Sequence, residues 1–469
     1  DKVEMEDEIR ERVEVKGKTR IICRSGSPID PNDIEIAGPH SAKSIIVLPP
    51  ENNDPDTDVI KTVLAITNNP NRRADPYHIV TQIRHSKNMD VLNLVGEKDH
   101  VQAVLTGDLI ARIVAQTSRQ SGLSMVYTEL MNFGGDEIYF RHEPSLIGRT
   151  FGEALLAYED SCVMGLRKAD GKILLSPPMD TRIEKDDQIF ALSTDDDTIR
   201  VSNMGVIPIN EPVLRSNRDA IEPKPEKCLI LGWNRSGTTI VHELDNYVPE
   251  GSQVTVVADI YGIEKQIRAQ GGRLKNQTLV VEEGETTDRD LLNKLGVQDY
   301  DHVIVLAYST VEPQEADART LVTLLHLRDM AQKDETPFSI VSEMIDLRNR
   351  ELAEATQVDD FIVSEHLISL MMAQLSENTE LFDVFKDIFD PEGAEIYLKP
   401  VRDYVATGEP VNFYTVAEAA RRRGETPLGY RITSEANEAS KSYGVHTNPR
   451  KSELVTFAPE DKVIVIAEN

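Results

Sequence analysis

The chain has 469 residues, 40% hydrophobic and 28% charged, enough for two to four domains of ordinary globular composition. No run approaches the roughly 20 apolar residues of a membrane helix, and the acidic start DKVEMEDEIRERVE does not read as a signal peptide. The 51 Lys and Arg against 80 Asp and Glu leave a formal charge of −29, which argues against a nucleic-acid partner.

From the N-terminus, the first features are the apolar run RIICR around Cys23 and the strand-like SIIVLPP at 44–50. A helical passage follows at 107–132, then a small β-rich unit over about 134–194 that closes with an acidic turn and a strand, KDDQIFALS. Residues 202–226 carry Pro208, Pro212, Pro223 and Pro225 and read as an extended linker. Beyond it, short apolar runs alternate with amphipathic stretches, the pattern of a parallel sheet with crossover helices. The predicted strands are 228–233, 253–259, 279–283, 302–307, 338–344 and 359–364. The helices predicted between them are 237–246, 263–269, 289–295, 314–330 and 347–355. Right-handed crossovers make these a doubly wound sheet. A second helical passage, 365–389, and a second β-rich unit, about 393–468, complete the chain. Cys23, Cys162 and Cys228 form no CxxC pair, so buried reduced thiols and a cytosolic setting are expected.

The two halves repeat. SIIVLPP falls on HVIVLAY at 302–308, IVAQTS at 113–118 on MMAQLS at 371–376, and DEIYF at 136–140 on AEIYL at 394–398, all at a shift of 258. The closing strands of the β-rich units match at 274 instead, so the second unit carries an insertion, expected within 434–450. The organisation is therefore α/β, with two tandem Rossmann-like doubly wound parallel sheets, each followed by crossover helices and a small α+β lobe. The expected domains are 1–133 and 134–201 for the first copy, 202–226 for the linker, and 227–391 and 392–469 for the second. The shift carries Asp259 onto Asp1, so the first sheet lacks its N-terminal strands and the counterpart of CLILGWNRSG. The expectation is a fragment of a longer polypeptide, or another segment filling that gap.

CLILGWNRSG has the strand and glycine turn of a dinucleotide-binding fold, in which backbone amides approach a pyrophosphate at a helix N-terminus. Gly232 and Gly237 hold the outer glycine positions, Asn234 replaces the middle one, and Asp259 ends the next strand where a ribose carboxylate stands. Two readings stay open: a nucleotide site, or a turn kept without its ligand. Glu282, Glu283 and Glu285, with Gly284 among them, follow the third strand at the same sheet edge. They could hold a hard cation or repel a phosphate. Their first-copy equivalents are Arg24, Ser25 and Ser27. The candidate nucleotide-binding residues are thus Gly232, Asn234, Gly237, Asp259 and Gly284, and the candidate metal ligands are the three glutamates. His326 and His366 read as packed or surface residues, and the clusters at Asp54 to Asp58 and Asp195 to Asp197 as solvated loops. There is no HExxH, GxSxG or Walker lysine turn, and no catalytic residue is expected.

The sheet, crossover helices and small β-rich lobe resemble the RCK domain, regulator of K⁺ conductance, also called KTN. ICRSGSP at 22–28, LILGW at 229–233 and EADARTLVTLLHLRD at 315–329 resemble the CASTOR/POLLUX family of ion channels. That resemblance implies two RCK domains per subunit behind a membrane pore, and no enzyme. It implies a homotetrameric ring of eight RCK domains on the cytoplasmic face, gating a potassium or calcium pore in response to a ligand such as Ca²⁺ or a nucleotide of the NAD or ADP class. The alternatives are a TrkA-like regulatory subunit of a potassium transporter, whose first glycine turn would be complete, and an NAD-dependent oxidoreductase, which needs a catalytic acid or base. The amphipathic passage 365–389, with LISLMMAQL and LFDVFKDIF, is expected to bury itself against a neighbouring chain, the alternative being that it packs within its own chain.

Overall fold

The computed structural model describes residues 2–13, 18–52, 54–202, 206–215, 224–270, 272–333, 338–349, 352–353, 360–390 and 393–468. They form two compact units, one of Asp1–Thr106 with Met371–Phe382, the other of Gly107–Leu370 with Asp383–Asn469.

The first unit opens with the polar helix α1 (Lys2–Arg12), which buries nothing. Helix α2 (Pro31–Ala37) starts at Asp30, whose carboxylate accepts the Asn32 N–H, and ends at Gly38 in the left-handed region (φ +70°). The sheet follows: β1 (Ile45–Val47), α3 (Pro55–Thr67), β2 (His78–Ile83), α4 (Met89–Val95) and β3 (His100–Leu105), with three parallel strands in the order β1-β2-β3. Val59, Val63 and Ile66 of α3 bury against Val47, Ile79 and Ile83. RIICR, read as strand-like, is irregular although Cys23 is buried. Its second-copy counterpart is an edge strand held by one neighbour. Among the described residues no strand pairs with RIICR, which therefore lacks the ladder bonds a strand needs.

The second unit starts with α5 (Thr106–Arg119) and α6 (Leu123–Met131), then β4 (Glu137–Arg141), α7 (Phe151–Ala154), β5 (Cys162–Arg167), β6 (Ile173–Leu175) and β7 (Gln188–Ser193). These strands make an antiparallel sheet, β4-β7-β5-β6. All six strands expected next are present: β8 (Lys227–Leu231), β9 (Ser252–Ala258), β10 (Gln277–Glu283), β11 (His302–Val305), β12 (Ser339–Met344) and β13 (Asp360–Val363). Between them lie α8 (Gly237–Tyr247), α9 (Ile263–Gln270), α10 (Arg289–Leu295) and α11 (Pro313–Ala331). The sheet is parallel in the doubly wound order β10-β9-β8-β11-β12-β13. Its β-branched runs are buried on both faces, as a covered parallel sheet requires. Of the helix expected at 347–355, Leu347–Asn349 is a 3₁₀ turn, and most of the remainder lies outside the described residues, as do 203–205 and 216–223 of the linker.

The chain continues through α12 (Ser364–Glu377), α13 (Leu381–Ile388), β14 (Glu395–Pro400), β15 (Pro410–Asn412), α14 (Phe413–Arg422), β16 (Thr426–Arg431), β17 (Val445–Thr447), β18 (Leu454–Thr456) and β19 (Lys462–Ala467). The order β14-β19-β16-β17 repeats β4-β7-β5-β6, and the register slip at Val163/Gly165 recurs at Pro427/Gly429. From these strands the shift grows from 258 to 264 before β16, to 272 before β17 and to 274 at β19. Only part of the insertion therefore lies in 434–450. The rest falls before β16 and between β17 and β19, while the pairing of β15 with β18 has a first-copy counterpart in the bridge between Thr150 and Arg182.

The expectation that 365–389 seeks a neighbouring chain is corrected by its burial. Leu381, Val384, Phe385, Ile388 and Phe389 are at most 4% exposed within this one chain, and the Phe389 ring lies 5.0 Å from that of Tyr127. Packing on elements of the same chain already removes this stripe from water. Each crossover passage also ends on the amino-terminal edge of a sheet. Gln102 of β3 donates to the Thr379 carbonyl at 2.7 Å, and Ser339 of β12 donates to the Ser118 carbonyl at 2.9 Å.

Candidate functional site in the second sheet

The carboxyl ends of β8, β9 and β11 form the crevice where the winding of the sheet reverses, the place where open α/β sheets bind ligands. Gly232 leaves β8 with φ +87°, and its N–H donates to the Val257 carbonyl at 2.9 Å. A Cβ there would stand 2.2 Å from the Leu306 carbonyl oxygen, so only glycine fits this turn. Gly237 opens α8 beneath the Trp233 ring, which a Cβ would meet at 2.7 Å. Trp233 is the chain's one tryptophan and is 7% exposed.

Asn234, in the middle position, is tied down at both ends of its amide. Its Oδ1 accepts the Ser236 N–H at 3.0 Å, and its Nδ2 donates to Glu343 at the end of β12. Glu343 also accepts from the Ser364 hydroxyl at 2.6 Å. Burial pushes its carboxyl above the usual range. The bonds from Ser364 and Asn234 oppose the shift, and the charge of Asp317 adds to it.

Asp259 remains open to solvent, its side chain 58% exposed. Its backbone N–H donates to the Tyr308 hydroxyl at 3.1 Å. The Arg319 guanidinium lies 3.7 Å from its carboxylate, pairs with Glu315 at 2.9 Å, and sits 5.6 Å from the centre of the Tyr308 ring. Tyr308, Arg319 and Glu343 were not singled out by the sequence. They come from the fourth strand's end, the middle of the next helix and the fifth strand. The only signal for them was that HVIVLAY ends beside the glycine turn.

The three glutamates go to separate partners. Glu282 pairs with Lys294 at 3.2 Å, Glu283 accepts the Gly262 N–H at 2.7 Å, and Glu285 accepts from the Thr287 hydroxyl at 2.8 Å. Among the described residues, no group of three His, Cys, Asp or Glu is arranged to hold a metal ion. Gly284 donates to the Ala258 carbonyl at 3.1 Å, and a Cβ there would meet Leu291 at 2.5 Å, so it lets α10 close onto the end of β10. In the first copy, Arg24 donates to the Cys23 carbonyl and the Ser27 N–H to Asp33.

Residues 107–208 match the family described as "Castor and Pollux, part of voltage-gated ion channel", and residues 228–364 match the TrkA-N domain. Across all of its length the chain is 29% identical to the probable ion channel CASTOR of Oryza sativa and to the ion channel CASTOR of Lotus japonicus. The chain is similar to the CASTOR and POLLUX channels along its whole length. It is also 27% identical over its full length to the probable ion channel POLLUX of Arabidopsis thaliana. It spans 55%, 58% and 60% of these three relatives, little more than half of a CASTOR or POLLUX sequence. In fold it is similar to the human SLO3 gating ring, with a TM-score of 0.67 at 13% identity, covering 95% of this chain and 91% of that one. These CASTOR and POLLUX relatives are named as ion channels rather than enzymes. Among the described residues, no helix is long and apolar enough to cross a membrane.

Proposed function

We propose that this chain is the ligand-sensing region of a cation channel, on the cytoplasmic face of a membrane, with the second-sheet crevice taking a nucleotide of the NAD or ADP class. The match to CASTOR and POLLUX channels along the whole chain supports the channel reading. The observation that carries the ligand reading is the crevice itself, where an exposed Asp259 stands beside a glycine turn that opens α8. Asp259 would hold the ribose hydroxyls, the N-terminus of α8 would face phosphate, and Arg319 would add positive charge. Asn234 puts a side chain where a glycine normally admits the pyrophosphate, so Asp259 carries more of the recognition. The separate partners of Glu282, Glu283 and Glu285 favour a nucleotide over Ca²⁺ as the ligand of this edge. A ring of four chains, with eight sheet-and-lobe copies, would move the pore by the ligand's differential affinity for its two states, typically ~1–3 kcal/mol.

The test uses Trp233, which lies in the crevice. Titrating the chain with ADP, NAD and Ca²⁺ should change tryptophan emission with the nucleotides, and Asp259→Ala should weaken that binding at least about tenfold while leaving the Tm unchanged. No response to either nucleotide, or equal binding by the variant, would overturn the ligand reading.

A further inference from the structure

The opposite, amino-terminal edge of the second sheet holds a polar cluster that the crevice does not use. Glu226, immediately before β8, accepts from Arg119 at the end of α5, through Nε at 3.2 Å and Nη2 at 2.8 Å. It lies 3.2 Å from Nε2 of His302, the first residue of β11. The other ring nitrogen, Nδ1, is 3.0 Å from the Ser339 hydroxyl oxygen at the start of β12. That hydroxyl lies 2.9 Å from the carbonyl oxygen of Ser118, in the last turn of α5. The side chains of Arg119, Glu226 and His302 are 29%, 22% and 18% exposed.

Counting hydrogens fixes the protonation of the ring. A carbonyl oxygen only accepts, so Ser339 donates its single hydroxyl proton to Ser118. Its oxygen then accepts, and Nδ1 must carry a hydrogen to give. Glu226 is ionised: burial alone would raise its carboxyl, but hydrogen bonds from His302 and Arg119 outweigh this and hold it down to about 2. A carboxylate also only accepts, so Nε2 carries the other hydrogen. His302 is therefore an imidazolium in this arrangement.

We propose that His302 is a proton-operated clasp that ties the C-terminal end of α5 to the second sheet. With both ring nitrogens protonated, Ser339 is free to hold the Ser118 carbonyl, one of the acceptors a helix end leaves without an internal partner. When the Nδ1 proton passes to solvent, that nitrogen becomes an acceptor. The Ser339 hydroxyl can then donate to Nδ1 or to Ser118, but not to both. The charged residues around the ring are Glu226 and Arg119, with Asp301 next to it in sequence and Lys227 beside its register partner Cys228. Asp301 accepts the Lys227 N–H at 2.8 Å. Cys228, opposite His302 in register, has its thiol pushed up by burial, with Glu226 and Asp301 adding to the shift. The phenol of Tyr397 on β14 is held up chiefly by burial and Glu395, and feels Arg119 with the opposite sign. Because opening requires loss of the Nδ1 proton, the clasp opens as pH rises.

The test is nitrogen NMR of the 469-residue chain labelled in its histidine rings, with hydrogen exchange over 107–119, from about pH 5.5 to about 8.5. At the acid end both His302 nitrogens should be protonated. As the Nδ1 proton leaves, exchange over 107–119, corrected for its intrinsic pH dependence, should rise about fivefold, with β8 to β12 unchanged. Ser339→Ala should abolish this step and leave 107–119 exchanging at the faster level throughout. His302→Gln, which keeps a donor to Glu226 but cannot titrate, should abolish it too. A neutral His302 in the folded chain at the acid end, or the same step in both variants, would overturn the clasp.

Discussion

Glu343 is 7% exposed at the end of β12, where the neutral Asn234 amide and the Ser364 hydroxyl donate to it. Burial raises its carboxyl, so the folded chain holds this proton more tightly than the unfolded chain does. The stabilisation from a raised carboxyl is full below the ordinary glutamate range and is lost as pH rises through the folded value. Glu343→Gln accepts from Asn234 through its amide oxygen and cannot ionise. Its urea midpoint should match the wild type at acid pH and exceed it increasingly as pH rises, measured by Trp233 emission. Parallel curves for the two proteins would show that Glu343 is not strained by its burial. The contrast with Asp259 is instructive, because two carboxylates at one sheet edge have opposite surroundings. The open one can meet a ligand, while the closed one fixes the turn.

At the scale of elements, the six strands of the second sheet were legible because each is a short β-branched run bounded by turn residues. The repeat was legible wherever one shift held. It hid a stronger likeness where the shift changes to 261. Buried Asp56, on α3, accepts the backbone N–H groups of Arg84 and His85 and the Asn88 amide. Asp317, on α11, does the same for Ile345, Asp346 and Asn349. Both aspartates anchor the loop after the fifth strand position, but a fixed shift of 258 sets Asp317 against Val59. RIICR misled for a different reason: apolar alternation reports burial, whereas a strand also needs a ladder partner. In the crevice, Gly232 and Asp259 could be read from spacing along one chain segment, while Arg319 and Glu343 arrive only through the fold. The same short first sheet has a consequence for solubility. Among the described residues β1 pairs with β2 alone, and Ile46 in β1 is 45% exposed. An apolar open edge promotes association, and a lysine there discourages it. Ile46→Lys should lower light scattering by the concentrated chain and leave stability within about 0.5 kcal/mol of wild type. Unchanged scattering would mean that the edge is already covered.

For the whole molecule, burial removes one argument for a ring and charge supplies a way to test it. Phe385 is 1% exposed inside its own chain, so Phe385→Asp would bury a charge and unfold the protein whether or not it assembles. The formal charge of −29 acts on assembly differently. Four such chains in a ring would repel one another over about one Debye length, about 30 Å at 0.01 M salt but only about 8 Å at 0.15 M. If the interfaces are apolar and the charge merely opposes them, raising salt should strengthen the ring. The same acidity gathers cations around the assembly, an effect that weakens with ionic strength. Mass measurement of the full-length protein in detergent should give four chains at physiological salt, with the assembled fraction falling as salt is lowered. A single chain at every salt concentration, still carrying ligand-regulated conductance, would refute the ring. Tetramers that dissociate as salt is raised would instead mean that ion pairs hold the interface, with the net charge too diffuse to govern it.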